Sequence, residues 1–358
     1  KPKPKPKPKP KKAPGIKAVR KVTEHASAEL PAYPSGLVGE IAEYAERRLA
    51  FQTPNIALAT GLAAVSRMND HKAVVVAPGG RATSLNLYTL ITAQTGAGKE
   101  TARAVLNEIG QAIAGEDMIS SSFASAQALG RELSSSTGKS LLVFQDEYGH
   151  KLAHANSGSG AHDAAVGALL LELFGLPLGS YAGRKYSKEK DDIEPAELPY
   201  VGMLAATTIE PLVGALTDGA VYDGTLNRLI YLPQPSALVR NGDLKVGEVP
   251  DDIVSAGRRL WGGSSSGAQL NSALALSDAP NTIKIRGRLF RAIRMTNAAS
   301  TVFDKFDRSL DSDKERGGPR GSLAGRAAEL AIRVGGVVAL GCAKNLNDMR
   351  LTQVHAKF

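Results

Sequence analysis

Thr92-Ala93-Gln94-Thr95-Gly96-Ala97-Gly98-Lys99-Glu100-Thr101 is the stretch whose reading decides the fold. Ahead of it, Leu85-Asn86-Leu87-Tyr88-Thr89-Leu90-Ile91-Thr92 reads as a strand. Behind it the spacing predicts a helix from about Glu100 to Ala114, with Ala104, Val105, Ile109 and Ile113 on one face. A glycine-rich turn between strand and helix suits phosphate binding. Small residues let backbone N–H groups curl around the oxygens, and the helix aims its positive N-terminus at them. Lys99 can reach the outer phosphates as a point charge. Thr95, Gly96, Ala97, Gly98, Lys99, Glu100 and Thr101 are the expected nucleotide contacts.

The stretch departs from the P-loop pattern at two places. Ala93 stands where the first glycine is expected, and Glu100 where a Ser or Thr follows the lysine. That hydroxyl ordinarily binds Mg²⁺. A carboxylate is also a hard oxygen ligand, so Glu100 can take the metal directly. Without the metal, its charge beside a triphosphate disfavours binding.

Working outward, Leu141-Leu142-Val143-Phe144 is an apolar strand that delivers Gln145-Asp146-Glu147 at its C-terminal end. Ligands of open α/β sheets collect at that end. Asp146 is the expected Mg²⁺ ligand with Glu100, and Glu147 the group that polarises water. Val201–Ala206 is a further strand ending in Thr207-Thr208, where Thr207 or Thr208 can sense a γ-phosphate or orient water. Gly224-Thr225-Leu226-Asn227-Arg228 precedes Leu229–Leu232, read as the last strand. Arg228 suits a charge-stabilising role supplied to a neighbouring subunit.

Strands alternating with helices predict an α/β fold with a central, mostly parallel sheet covered on both faces. Further helices are expected over 36–50, 55–68, 125–135 and 163–174, and a short strand at Val74–Val76. The expected division is a Lys/Pro-rich tail (1–32), an N-terminal helical segment (33–84), the nucleotide core (85–235), a connecting region (236–285) with a short helix near 251–260, and a C-terminal helical region (286–358). The last region is read as helical throughout, with Leu323, Ala327, Leu330, Ala331, Val334 and Val338 on one apolar face. It runs to Phe358 without an obvious cap, as a chain cut within a longer protein would.

The chain has 358 residues, 43% hydrophobic and 22% charged, with a net charge of +9. Residues 1–22 hold ten cations and no acid, which leaves the remainder at −1. The basic character belongs to an extended polyproline-like tail, suited to a linker or a phosphate-binding arm. One cysteine, Cys342, excludes an internal disulfide and a Cys-based zinc site. No apolar run is long enough to span a bilayer, and no secretory h-region opens the sequence. A cytoplasmic protein is expected. His150, His154 and His162 are spaced i, i+4 and i+12 across a Gly/Ser loop, and without nearby cysteines or an ordered helix they do not read as a zinc site. Asp311–Glu315 lacks the calcium-loop glycine and reads as a polar helix-breaking segment.

The order of these motifs resembles ring-forming P-loop ATPases of the RecA/AAA+ kind, and superfamily 3 helicases in particular. It is most similar to the phage and mobile-element replicative helicases found with primase domains. The resemblance is carried by Leu85-Asn86-Leu87-Tyr88, Gly96-Ala97-Gly98-Lys99-Glu100, Asp146-Glu147-Tyr148-Gly149, Gly183-Arg184-Lys185-Tyr186 and Leu226-Asn227-Arg228, across roughly 36–345. It implies ATP and Mg²⁺ as cofactors and a ring, most commonly a hexamer. It implies single-stranded or forked DNA in the pore, a primase or polymerase domain as neighbour, and a bacterial host's cytoplasm as location. In such families an acid can follow the P-loop lysine. Two inserts are expected to face DNA: a flexible loop over His154–Gly160, and Arg184–Lys190, where Arg184, Lys185 and Lys188 supply the charge. The competing expectations are a DNA-packaging or partition motor and a weakly hydrolytic nucleotide-dependent scaffold.

Overall fold

The structure, a computed structural model, describes residues 33–120, 123, 125–157, 160–185, 188, 192–216, 224–234, 239–242, 244, 247–261, 281–344 and 348–358. The Lys/Pro tail lies outside them, as does half of the connecting region. Tyr33–Phe358 is one compact unit.

At its centre is a four-stranded, all-parallel sheet. In chain order the strands of the protein are β1 (Ala73–Val76), β2 (Ala82–Thr83), β3 (Tyr88–Thr92), β4 (Ser140–Gln145), β5 (Ser180–Tyr181), β6 (Ala196–Glu197), β7 (Tyr200–Thr207) and β8 (Ile230–Pro233). They are followed by β9 (Thr282–Ile285), β10 (Arg288–Met295) and β11 (Arg350–Leu351). The central sheet runs β4-β7-β3-β8, an α/β arrangement compatible with a P-loop or Rossmann-like fold. All residues of β3 and β7 are buried, which is why these strands read as continuous apolar runs.

Alternation still sorts their side chains. Ile91, Leu142 and Leu204 face one layer, made of α1 (Leu37–Arg48), α2 (Pro54–Met68) and α3 (Lys99–Ala114). Leu90, Leu141, Val143, Met203 and Ala205 face the other, made of α4 (Ala126–Ser134), α5 (Tyr148–Asn156), α6 (Ala161–Phe174) and α7 (Ile209–Ala215). Each strand therefore feeds both cores, as a parallel sheet demands. The helix near 251–260 is present as α8 (Asp251–Trp261) and joins the first layer.

A second sheet corrects the reading of the C-terminal region. Residues 286 onward are not helical throughout. β9 and β10 form an antiparallel hairpin turned by Arg286-Gly287, both at positive φ. β10 then pairs in parallel with β1 and β11. The strand at Val74–Val76 belongs to this mixed sheet, not the central one, and the strand read as the last is followed by three more. Phe290 and Ala292 fill one small core while Ile293 and Met295 fill the main one. A strand buried on both sides shows no clean alternation, so its residues also fit a helical spacing. The helices that follow are α9 (Asn297–Ser309), α10 (Asp311–Arg316), α11 (Gly318–Gly341) and α12 (Gln353–Lys357). Asp311–Glu315 thus lies in a helix rather than breaking one, with Asp311 and Asp313 in the first turn and Lys314 and Arg316 in the last, as the helix dipole favours. On α11, Leu323 is 44% exposed, whereas Arg333 is buried.

Arg333 ties α11 to the central sheet. Its guanidinium donates to the Asn86 carbonyl at 3.0 Å, to the Asn86 side-chain oxygen, and to Glu329 at 2.6 Å, and lies 4.1 Å from the Phe174 ring centroid. Burial holds its pKa below the usual value, with Glu329 opposing. Removing one side of such a buried pair leaves the other uncompensated. Arg333→Ala is expected to lower unfolding free energy by roughly 3 kcal/mol, read by urea titration.

His71 joins the two sheets. Its ring sits between Tyr200 of β7 and Phe290 of β10, with centroids 5.0 and 4.9 Å away. Neither ring nitrogen has a hydrogen bond of good geometry. Burial, then the Arg288 charge, push its pKa well below the ordinary value, and the Leu198 backbone offsets only part of this. The unfolded chain takes up a proton near pH 6.5 that the folded chain refuses. His71 therefore costs nothing above that pH and destabilises the fold as pH falls below it, by up to about 1.4 kcal/mol per pH unit. His71→Asn should flatten that slope in urea titrations between pH 7.5 and 5.

Candidate nucleotide site

Parallel register places the key turns on one edge of the central sheet. Thr92 pairs with Thr207, and Gln145 with Ala205. The chain leaving β3, the acid pair leaving β4 and the end of β7 are therefore neighbours. β7 lies between the other two.

The turn after β3 needs its glycines. Gly96 and Gly98 have φ of +81° and +99°, a left-handed conformation that costs side-chain-bearing residues. A Cβ on Gly98 would also stand 2.4 Å from the Leu49 Cδ2. Ala97 is fully buried, whereas Gln94, Thr95 and Gly96 are exposed. Ala93 is a tolerable departure from the pattern. It is buried, its φ is not positive, and its N–H donates to the Thr207 carbonyl at 3.1 Å. α3 then starts without a side-chain cap. The Thr101 N–H donates to the N-cap Gly98 carbonyl at 2.9 Å, and the start of a helix offers anions its positive dipole end. Thr101 is half-buried in that first turn.

Lys99 curls back across the turn. Its Nζ donates to the carbonyls of Ala93 and Gln94 at 3.0 and 3.2 Å. Burial lowers its pKa, and the charges of Asp146 and Glu100 raise it in part. The three groups thus share one electrostatic neighbourhood. Glu100 and Asp146 come within hydrogen-bonding reach of each other. Desolvation first, then the Asp146 carboxyl, raise the Glu100 pKa, while Arg103 and Lys99 pull it down. Two carboxyl groups brought together are a donor set for a hard divalent cation. Mg²⁺ commonly takes only one or two protein carboxylates, with phosphate and water oxygens completing the shell. Among the described residues, no group of three or more His, Cys, Asp or Glu side chains gathers to hold a metal ion.

Glu147 is exposed and sits at φ +51°, capping α5. Asp146 Oδ1 accepts from the Glu147 N–H at 2.8 Å. The neighbouring turn was missed in the sequence. Thr207 is buried, and its hydroxyl accepts from the Gly149 N–H at 3.2 Å. Gly149 has no room for a side chain: a Cβ would lie 2.7 Å from the Leu212 N, 2.8 Å from the Thr207 Oγ1 and 2.9 Å from the Pro211 carbonyl carbon. β7 therefore braces the turn that carries Asp146 and Glu147. The sequence signal was Gly149, two residues after the acid pair.

Other expected site residues lie elsewhere. Arg228 precedes β8, whose Ile230 pairs with Thr89 and Pro233 with Thr92. That puts it toward the opposite edge, roughly 15 Å along the strand from the Lys99 turn. Its guanidinium donates to the Gly224 carbonyl at 2.7 Å and to Asn227 at 3.3 Å. One chain does not bring Arg228 to its own Lys99. Arg184 pairs with Glu172 at 3.2 Å, and Lys185 with Asp192 and Glu194 at 3.0 and 3.5 Å. Lys188 is exposed; Tyr186, Ser187, Glu189 and Lys190 lie outside the described residues. The loop expected over His154–Gly160 begins as helix, since α5 extends to Asn156, and His154 pairs with Asp163 at 2.7 Å. No described helix is long and apolar enough to cross a membrane.

No protein-family model matches this chain, and no curated protein matches it in sequence.

Gly149→Ala forces the acid turn away from β7. It is expected to destabilise the fold by about 1–3 kcal/mol, as overpacking does, whereas Gly167→Ala, on an open helix face, should be neutral or stabilising. Paired thermal melts check both.

Proposed function

We propose that this chain is an ATP-driven DNA helicase or translocase of a phage or mobile-element replication system, working as a ring. One observation carries the reading: a glycine turn with Lys99 ends β3, an acid pair ends β4, and both meet at one sheet edge with Glu100 and Asp146 within reach of each other. Strand-end loops of this kind collect phosphate ligands.

In this account the turn's backbone N–H groups and the start of α3 bind the phosphates of ATP. Lys99 leaves the carbonyls of Ala93 and Gln94 to neutralise the outer phosphates. Glu100 and Asp146 would hold Mg²⁺, which when bound screens the triphosphate charge. Glu147 takes the proton of the attacking water, and the Thr207–Gly149 contact fixes the turn from which it does so. Arg228 serves a neighbouring subunit, as its distance from Lys99 within one chain requires. Arg184 and Lys185 contact DNA by exchanging Glu172 and Glu194 for phosphates, since such partly exposed ion pairs are weak, and the exposed Lys188 adds its charge.

A second reading has a specific observation behind it. Glu100 puts a carboxylate where a neutral hydroxyl is usual, which favours a slow, nucleotide-dependent scaffold. Hydrolysis separates the two. ATP turnover with Mg²⁺ is expected to rise with single-stranded DNA, to vanish with a chelator, and to fall roughly 10²-fold or more in Lys99→Ala, as loss of a transition-state charge partner does. Tight nucleotide binding without turnover, unchanged by DNA, would favour the scaffold.

A further inference from the structure

The β9–β10 hairpin carries charge that the nucleotide site does not use. Asn281–Met295 holds Lys284, Arg286, Arg288, Arg291 and Arg294 and no acid. These cations do not all reach solvent in the same way. Arg288 is largely buried, lying 5.4 Å from the Phe290 ring centroid. Arg286 turns toward Ser180 and Glu197.

Arg294 is different. In the parallel pairing of β10 with β11, it stands directly beside Arg350. Paired residues share one face of a sheet, and their backbones are about 4.8 Å apart. Both side chains are exposed. Like charges side by side on a sheet repel and disfavour the pairing. Local groups compensate little. Arg350 meets Asp348 at 3.0 Å, but both are about two-thirds exposed, so the pair is heavily screened. Arg294 spends its Nε–H on the Asn281 side chain at 2.9 Å, and a guanidinium has further donors.

We infer that the Arg294–Arg350 face binds the phosphodiester backbone of a single nucleic-acid strand. Two arginines side by side on one sheet face can offer phosphate oxygens their planar donor forks. The β9–β10 tip is engaged by Ser180 and Glu197, so it does not project to enter a duplex groove. None of Asn281–Met295 is an exposed large apolar residue of the kind a membrane would take up. The inference does not depend on nucleotide hydrolysis.

The test is fluorescence anisotropy of the full chain with a labelled oligo-dT across a salt series, alongside thermal melts. Arg294→Gln/Arg350→Gln should weaken binding by roughly tenfold or more at low salt. It should also make the salt slope shallower by about 1.4, the value for two lost single-strand phosphate contacts. Its melting temperature should hold or rise, because a repulsive pair is gone. Arg131→Gln/Lys139→Gln, on α4 and just before β4 and so off the β10–β11 pairing, should leave affinity and slope unchanged. Equal affinity and slope in wild type and the Arg294/Arg350 variant would overturn the proposal. So would wild-type binding to phosphatidylserine vesicles that exceeds binding to oligo-dT.

Discussion

Parallel pairing of β3, β4, β7 and β8 is the constraint on which the rest depends. All four strands point the same way, so every strand-to-helix turn falls on one edge and every helix-to-strand return on the other. The Lys99 turn and the Asp146–Glu147 turn meet because β7 separates their strands by a single position. The same geometry sends Arg228 to the far edge. Under the proposed ring, that distance would assign Arg228 to a neighbouring subunit's site.

Electrostatics then act on that edge. The Asp146 carboxyl raises the proton affinities of both Lys99 and Glu100, and those two act on each other. An ammonium held by carbonyls beside two crowded carboxyl groups is balanced when a polyanion and a divalent cation arrive together, and less so with either alone. The braces behind these groups are neutral and tightly packed: Gly98 against Leu49, and Gly149 against Thr207 and Leu212. Packed, uncharged support behind charged groups is how a site holds its geometry.

The central sheet was legible because its strands are long apolar runs bounded by glycine turns, and the helices over it keep a 3.6-residue period. Lys99, Asp146, Glu147 and Thr207 stand at strand ends, where position alone suggests chemistry. The mixed sheet was hidden. β10 buries Phe290 and Ala292 on one side and Ile293 and Met295 on the other, with arginines between, so neither period dominates. Arg333 was unreadable for a related reason. A buried cation on an apolar helix looks like a solvent-facing residue until Asn86, Phe174 and Glu329 are brought around it. Ala93 and Gly149 show the converse: a motif's glycine is dispensable where φ is not positive, and a glycine outside the motif is required where two backbones touch. Arg184 and Lys185 read as open cations because their carboxylate partners come from α6 and from the far side of a loop.

The most direct test of the central claim is an experimental structure with a non-hydrolysable ATP analogue and Mn²⁺, the metal located by its anomalous scattering. The account predicts the triphosphate in the Gly96–Lys99 turn, and a metal peak in coordination distance of Glu100, Asp146 or both. Nucleotide bound elsewhere, or metal remote from both carboxylates, would contradict it.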